Sequence, residues 1–351
     1  MCKAGGVAVI NLVSKVPSSI WEREKPVDAE HIFLHTREPV SADYHVVYGI
    51  RDALELPNSP DRLIFVASEP PEIREYNLDI LRRYGLIVGP SFPRVSALPH
   101  FRHVTGIAPW WIGVSSSTEN HYETHEGGAA LTLERLAALS QPAEDKLSVI
   151  ISTEARTPDQ VQRIRLVEYL ASKFSDLAIF GVGHNPIEDK AEVLTKFRSN
   201  LAIENSSHPG YWTEKLADPI LTRCFTFYGG HRSYAEDFPG KGIQLIDPYQ
   251  PEKVYRAISQ AMETGAWGKG AEDRNRHKES VLLEHSFHRK ISAIITSLPP
   301  TNSRQSTSLI KAHHPESRWK KLLDPLYRRV ARRITGGLQG ASRASLDTLG
   351  S

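Results

Sequence analysis

The hydrophobic and polar positions of this chain alternate in the same way in its two halves. In the first half, five short apolar runs are separated by polar turns, and runs of roughly four to eight apolar residues are typical of buried strands. These runs are VAVINLV, HIFLHT, YHVVYGI, RLIFVAS and LIVGPS. Helical spacing appears in NLDILRRYG, between the last two runs, and again in LTLERLAALS. Buried strands alternating with helices predict a parallel sheet covered on both faces.

The second half repeats the pattern after a predicted turn in QPAEDK. Its strands are predicted in LSVIIS, LAIFGVG, SNLAIEN, CFTFY and IQLID. Its helices are predicted in PDQVQRIRLVEYLASKF, EDKAEVLTKF, residues 211–221 and PEKVYRAISQAM. We therefore predict an α/β fold with two Rossmann-like domains facing a cleft. Open α/β sheets bind ligands at the carboxyl ends of their strands, so we expect a site at that cleft.

Changes in composition place the domain boundaries. The first α/β domain is predicted at residues 1–145 and the second at 146–270. In 271–300, the sequence DRNRHKESVLLEHSFHRKISAIITSL predicts one long helix. Residues 301–351 are predicted to be a linker of disordered composition followed by a basic amphipathic tail.

Composition excludes several classes of protein. The 351 residues carry a net charge of only +2, which argues against a protein that coats nucleic acid. The chain has two cysteines, Cys2 and Cys224, which lie in separate segments. We therefore expect no disulfide scaffold, and we expect the protein to reside in a reducing compartment. The first apolar run is about eight residues long, too short to span a membrane, and we expect it to be the first buried strand rather than a signal peptide.

The most informative stretch is 196–230, which predicts strand, polar turn, helix and strand. Thr213, Glu214 and Lys215 fall on the first turn of the predicted helix, where free N–H groups and the helix dipole favour a phosphate. Lys215 adds a positive charge, and Glu214 can accept hydrogen bonds from a vicinal diol such as ribose. This pattern points to a nucleotide diphosphate. The alternative is an ordinary capped helix with a solvated Glu–Lys pair.

The exact residues of this stretch also match a known sequence motif. ENSSHPGYWTEKL, followed by a strand and Tyr228-Gly229-Gly230, resembles the donor-binding motif of the α1,3/4-fucosyltransferases, with Ile203 in place of the usual aromatic residue. The resemblance implies a bacterial-type enzyme of the GT-B architecture that uses GDP-fucose without a metal or other cofactor. It assigns the acceptor to the first domain and the donor to the second, and would pack the late helix back on the first domain. The matching residues, implied to bind GDP-fucose, are Glu204, Asn205, Ser206, Tyr211, Thr213, Glu214 and Lys215.

The resemblance extends to two further residues. Arg163 is implied to bind the donor pyrophosphate, since a guanidinium suits phosphate oxygens, and Arg156 is its competitor. Glu69 is implied to be the general base that takes the proton of the acceptor hydroxyl, and Glu72 is close enough to be confused with it.

Two aromatic residues and one histidine pair complete the candidates. Trp110 and Trp111 could stack on acceptor sugar rings, but core packing is the alternative for at least one of them. His121 and His125 in HYETH have the spacing of metal ligands on a helix, yet the glutamate is not in the zinc-protease position. No D-x-D motif stands near the donor motif, and we expect no metal.

The tail, 317–338, combines a tryptophan-led apolar stripe with an excess of positive charge. Pro325 interrupts it, so we expect a kink there or a helix that begins there. Such a helix is typical of an interfacial anchor on an anionic membrane; a tail that docks on its own domain, or a disordered one, is the alternative. The basic residues are Arg318, Lys320, Lys321, Arg328, Arg329, Arg332 and Arg333.

Together these features predict an inverting fucosyltransferase acting on a GlcNAc- or galactose-containing glycan, for example in lipopolysaccharide. We expect it at the cytoplasmic face of the bacterial inner membrane, near lipid-linked acceptors. The alternatives are a transferase for another nucleotide sugar and a non-catalytic glycan- or membrane-binding relic of the fold. A cofactor-binding oxidoreductase is disfavoured because no G-x-G-x-x-G follows a predicted strand.

Overall fold

The strands form two parallel sheets. The computed structural model describes residues 6–26, 28–36, 38, 40–50, 54–57, 59–114, 131–299 and 308–310. The strands are β1 (Val9–Ser14), β2 (Ile32–Leu34), β3 (Tyr44–Tyr48), β4 (Leu54–Leu56), β5 (Leu63–Val66), β6 (Leu86–Gly89), β7 (Phe101–His103), β8 (Glu144–Ile150), β9 (Ala178–Phe180), β10 (Phe197–Ile203), β11 (Phe225–Gly229), β12 (Ile243–Leu245) and β13 (Ser308–Ile310).

The helices connect and cover these strands. They are α1 (Ser18–Arg23), α2 (Leu78–Leu81), α3 (Leu133–Ala138), α4 (Pro158–Ala171), α5 (Ala191–Leu194), α6 (Glu214–Leu221), α7 (Tyr234–Asp237), α8 (Pro251–Glu263), α9 (Ala271–Leu283) and α10 (Phe287–Thr296). Short 3-10 turns occupy Pro60–Arg62 and Ala266–Gly268. Thr157 caps α4 by accepting a hydrogen bond from the Gln160 amide, and Pro158 begins that helix, as the sequence signals for a helix start predict.

The first sheet has the order β2-β1-β3-β5-β6-β7 and the second the order β12-β11-β10-β8-β9, and all their pairings are parallel. The prediction of an α/β fold with two parallel sheets is confirmed. β4 and β13 form a separate antiparallel pair that the sequence pattern did not indicate.

Each sheet buries apolar side chains on both faces. In the first sheet Ile64 and Val66 face one cluster and Phe65 faces the other, as alternation along a strand requires. In the second sheet, Val149 and Leu201 pack against α4 and α8. Ala202 packs on the opposite side, in the cluster that holds α6 and α9. Burial on both faces explains why these strands appear in the sequence as continuous apolar runs.

The predicted single helix in 271–300 is wrong, because the structure has two helices there. α9 ends at Leu283, and Ser286 caps α10 by accepting a hydrogen bond from the Arg289 amide at 3.3 Å. Val281 of α9 packs with the second sheet's helices, whereas Phe287 and Ile291 of α10 pack against the first sheet. One straight helix cannot serve both surfaces, so the chain turns between them.

Smaller differences concern element ends. The segment QPAEDK, predicted as a turn, contributes the first residues of β8, since the strand begins at Glu144. The helix predicted in NLDILRRYG is only the four-residue α2. The linker and basic tail after residue 310, and the HYETH segment, lie outside the described residues. Within the described ranges, no helix is both long enough and apolar enough to cross a membrane.

Candidate active site

The carboxyl ends of the two sheets meet at the loop between β10 and α6. In this loop, the Pro209 carbonyl accepts a hydrogen bond from the Ser91 amide, which follows β6, at 2.9 Å. The Gly210 carbonyl accepts one from the Gly106 amide, which follows β7, at 3.1 Å. The loop that carries the sequence motif therefore lies between the sheets, at the edge where α/β sheets bind ligands.

Two neighbouring aromatic residues anchor this loop in different cores. Tyr211 is 2% exposed and packs in the cluster of the first sheet, whereas Trp212 packs in the cluster of α6 and α9. Burial raises the pKa of the Tyr211 hydroxyl, and the carboxylates of Glu69 and Glu204 raise it further. The Tyr211 side chain, predicted as a donor ligand, thus packs its ring in the core and lies within the electrostatic reach of carboxylates from both sheets.

The start of α6 is capped from within the motif. Thr213, which was predicted to lie on the first turn, is instead the N-cap, and its hydroxyl accepts a hydrogen bond from the Lys215 amide at 3.3 Å. Glu204 is 2% exposed and accepts hydrogen bonds from the Thr213 amide and hydroxyl, both at 2.9 Å. The amides of Thr213 and Lys215 therefore already have hydrogen-bond partners within the protein. Burial raises the pKa of Glu204 to about 7.

Glu214 and Lys215 form an ion pair at the first turn of α6. The Lys215 Nζ lies 3.0 Å from the Glu214 Oε1, and the two side chains are 23% and 18% exposed. Burial alone would raise the pKa of Glu214, but Lys215 and then Lys190 outweigh it and lower the pKa to about 2. Burial lowers the pKa of Lys215, but Glu214 and Glu204 outweigh it and raise the pKa. Both groups are therefore charged at neutral pH.

Arg163 reaches the motif from α4. Its side chain is buried, with Nη1 donating to the Asn205 Oδ1 at 2.7 Å and Nη2 to the Ser152 Oγ at 3.0 Å. Burial lowers the pKa of Arg163 to about 10, although Glu154 and others partly offset this. Its competitor Arg156 is exposed and pairs with Glu154. Of the two arginines, Arg163 is the one that the structure brings to the motif.

The two candidate bases lie on the first sheet's side of the loop. Glu69 follows β5, and its backbone is clamped by the Tyr76 hydroxyl, which donates to the Glu69 carbonyl at 2.6 Å. The Glu72 carboxylate crosses to the second sheet's loop and accepts hydrogen bonds from Ser206 Oγ at 3.3 Å and His208 Nε2 at 3.1 Å. The Glu72 carboxylate thus already accepts hydrogen bonds from two residues of the β10–α6 loop. One of them, Ser206, is a residue that the resemblance implies to bind GDP-fucose.

The tryptophans separate into different environments. Trp110 is 1% exposed and packs in the cluster of α6, so its ring cannot stack on an acceptor sugar and the packing alternative describes it. Trp111 is half-buried, and its amide donates to the Asp218 Oδ1 at 3.1 Å. Across the described ranges, no group of three or more His, Cys, Asp or Glu side chains is placed to hold a metal ion.

Sequence reasoning missed Lys190. Its Nζ lies 3.6 Å from the Glu214 Oε1 and 2.7 Å from the Asp218 Oδ2. Lys190 follows β9 and no local pattern marks it, because it meets α6 only through the fold. Parallel-sheet topology, which gathers the loops that follow the strands at one edge of the sheet, is the one signal that could have pointed to it.

Comparison with known proteins supports the resemblance found in the sequence. No protein-family model matches the chain. The α-(1,3)-fucosyltransferase FucT of Helicobacter pylori is 32% identical over 69 residues, which make up 20% of this chain and 14% of that protein. The resemblance to the α1,3-fucosyltransferases is confirmed over that stretch. The matched stretch thus spans well under a quarter of its relative's length.

Solved structures give likenesses over longer stretches. An α1,3-fucosyltransferase with GDP has a TM-score of 0.48 at 14% identity and covers 95% of this chain and 92% of its own. An α1,3-fucosyltransferase with GDP-fucose has a TM-score of 0.42 at 13% identity, covering 94% and 92%. TarM has a TM-score of 0.41 at 10% identity, covering 66% and 49%. These TM-scores and identities are too low to transfer site residues from those proteins. The description of the site above therefore depends only on contacts within this chain.

Proposed function

We propose that this protein is an inverting fucosyltransferase that moves L-fucose from GDP-fucose to a hydroxyl of a GlcNAc- or galactose-containing glycan. The observation that carries the proposal is the gathering of Arg163, Glu214 and Lys215 around the β10–α6 loop, at the carboxyl ends of β8 and β10. The local similarity to FucT of Helicobacter pylori supports the same activity.

The donor diphosphate is bound by two cations. Arg163 is buried and its guanidinium is held by the neutral oxygens of Asn205 and Ser152, with no ion pair to a carboxylate among the described residues. A buried cation without a paired anion favours binding of a phosphate. Lys215 supplies the second positive charge, and Glu214 accepts hydrogen bonds from the ribose hydroxyls.

The transfer is a single in-line displacement. Glu69 takes the proton of the acceptor hydroxyl, whose oxygen then bonds to the fucose anomeric carbon as the bond to the GDP oxygen breaks. The leaving diphosphate gains negative charge in this step, and Arg163 and Lys215 stabilise it. Glu69 is favoured over Glu72 by the resemblance of the strand and turn that carry it, and its carboxylate lies close enough to the loop to raise the pKa of Tyr211.

The acceptor and the location belong to the same proposal. A lipid-linked surface glycan, such as a lipopolysaccharide precursor, is the acceptor, and the basic segment 317–338 holds the enzyme on the cytoplasmic face of the inner membrane. The support is the excess of basic residues in this segment and the helical spacing of its apolar residues. The test is sedimentation with anionic and neutral vesicles, comparing the full chain with one that stops after Ile310, so that β13 is kept. Equal sedimentation of both chains would rule the anchor out.

A donor screen tests the central proposal. Calorimetry with GDP, UDP, GDP-fucose and GDP-mannose is expected to show binding of GDP and GDP-fucose and much weaker binding of UDP. Lys253→Ala, an exposed change on α8, is the matched control for Lys215→Ala. Tighter binding of UDP than of GDP would refute GDP-fucose as the donor. Tighter binding of GDP-mannose than of GDP-fucose would show that the donor is another nucleotide sugar. The anomeric configuration of the product, measured by NMR, tests inversion.

A further inference from the structure

A second lysine shares the Glu214 carboxylate. Lys190 immediately precedes α5, and its Nζ lies 3.6 Å from the Glu214 Oε1. The Lys215 Nζ lies 3.0 Å from the same oxygen. Two ammonium groups from different parts of the chain therefore converge on one carboxylate oxygen, and only one of them belongs to the sequence motif.

Lys190 also neutralises a second carboxylate on α6. Asp218 lies four residues after Glu214, so the two side chains are on the same face of the helix, where like charges repel. Asp218 is 1% exposed in its side chain, and its Oδ2 lies 2.7 Å from the Lys190 Nζ. A buried carboxylate without a counter-charge is costly, and Lys190, which lies close to both acids, offsets part of that cost.

The position of Lys190 is fixed from both sides. The Asp218 Oδ1 accepts a hydrogen bond from the Trp111 amide at 3.1 Å. The neighbouring Asp189 accepts hydrogen bonds from the Gly113 and Ala191 amides, both at 2.8 Å. Residues 189 and 190 thus join α6 to the segment that leaves the first sheet. At 24% side-chain exposure, Lys190 is a fixed charge rather than a mobile surface lysine.

We propose that Lys190 is a positioning residue for the donor nucleotide: it holds the Glu214 carboxylate in place to accept hydrogen bonds from the ribose hydroxyls. The inference rests on the proposed function, in which Glu214 binds ribose. It adds a residue from outside the motif to the nucleotide site, acting through Glu214 rather than on the nucleotide itself.

The charges around Glu214 determine how the loss of Lys190 changes with pH. Lys215 and Lys190 lower the pKa of Glu214, and burial raises it. The other titratable groups in electrostatic contact with it are Glu204, Asp218, Arg163, Tyr211 and Tyr48. Without Lys190 one of the two charges that lower the pKa of Glu214 is lost, so lowering the pH protonates a larger share of this carboxyl in the variant than in the wild type. A protonated Glu214 loses its charge and part of its acceptor capacity.

The test compares Lys190→Met with the wild type in calorimetry, using GDP and 2′,3′-dideoxy-GDP at about pH 7.5 and pH 5.5. We expect Lys190→Met to bind GDP about tenfold more weakly, the loss of one charge-assisted contact. The loss of GDP affinity in the variant, relative to the wild type at the same pH, should be larger at pH 5.5 than at pH 7.5. The affinity for dideoxy-GDP, which lacks the ribose diol, should differ little between the variant and the wild type. Lys190→Arg should recover most of the affinity, and the exposed Lys253→Met should bind as the wild type does.

Equal losses for the two nucleotides, with no dependence on pH, would show a structural role only and overturn the inference. Wild-type affinity in Lys190→Met would overturn it too. If Lys190→Met does not fold, Lys190→Gln makes the same comparison, since it can donate to Asp218 without a charge. If the wild type binds neither nucleotide, the proposed function fails and this inference fails with it. If the wild type and Lys190→Met bind GDP equally well, only this inference fails.

Discussion

Replacing Arg163 by methionine should weaken nucleotide binding without destabilising the free protein. Arg163 is 4% exposed, and it donates hydrogen bonds to oxygens of Asn205 and Ser152 and to the Glu154 carbonyl. Methionine fills similar volume without a charge. Breaking a buried ion pair would destabilise the fold, but among the described residues this guanidinium has no carboxylate within ion-pair distance.

The magnitude follows from the burial of the charge. Burial lowers the pKa of Arg163 from 12.5 to about 10, which corresponds to about 3 kcal/mol against the charged form. The pKa is depressed on folding, and both values lie above neutral pH, so this penalty is fully present at pH 7. The lost hydrogen bonds offset part of it, at about 1 kcal/mol each. The free variant should therefore be as stable as the wild type or up to about 3 kcal/mol more stable.

Binding should change in the opposite direction. A charge-assisted bond to phosphate contributes about 1.5–3 kcal/mol, so GDP affinity should fall by about ten- to a hundredfold. Calorimetry with GDP and guanosine separates the phosphate from the nucleoside, and thermal unfolding without ligand measures stability. Guanosine should bind both proteins equally. Arg165→Met, an exposed change on the same helix, is the matched control.

Two results would contradict this reasoning. GDP binding at wild-type strength would remove Arg163 from the phosphate site. A large loss of stability in the free variant, with affinity lost equally for GDP and guanosine, would show that the arginine holds the fold together and does not serve the ligand.

Three further predictions concern neighbouring residues. Glu214→Ala and Lys215→Ala should each lose about ten- to a hundredfold in GDP affinity by calorimetry while keeping the fold, and wild-type affinity in both would remove the site from α6. Glu69→Gln should bind GDP normally but lose at least about a hundredfold in transfer rate; normal turnover there with loss in Glu72→Gln would move the base by three residues. Because the pKa of Glu204 is raised to about 7 on folding, its contribution to stability is fully present below pH ~4.5 and is lost as the pH rises through ~7. Glu204→Gln should remove about 3 kcal/mol of that decline in denaturant titrations at pH 5 and 8, and an unchanged decline would refute the assignment.

What the sequence predicted well depends on local signals. The helix α6 was predicted at 211–221 and lies at Glu214–Leu221, so its end was placed correctly from the apolar spacing, whereas its start was placed three residues early. The buried strands were found because burial on both faces leaves a continuous apolar run. The break after Leu283 was missed because apolar spacing continues across it without a proline or glycine, and only packing on two different sheets forces the turn.

The site shows the same division between local and distant interactions. Glu214 and Lys215 were identified from adjacent letters, whereas Lys190 meets them only because the loops after β9 and β10 converge. Trp110 and Trp111 stand side by side in the sequence, and nothing in their spacing distinguishes the buried ring from the half-buried one. Environments of this kind depend on the packing of distant segments, which a periodicity argument does not contain.

The β10–α6 loop performs two tasks, and this determines how substitutions in it must be interpreted. Tyr211 and Trp212 fix the loop in two cores, and Ser206 and His208 tie it to Glu72 of the first sheet's side. Changes at these residues alter how the sheets meet, so they should affect donor and acceptor steps together. Glu214 and Lys215 lie beyond the cap at Thr213, and in the proposed function they contact the nucleotide. An effect on nucleotide affinity with unchanged stability therefore separates ligand contacts from the loop's structural role.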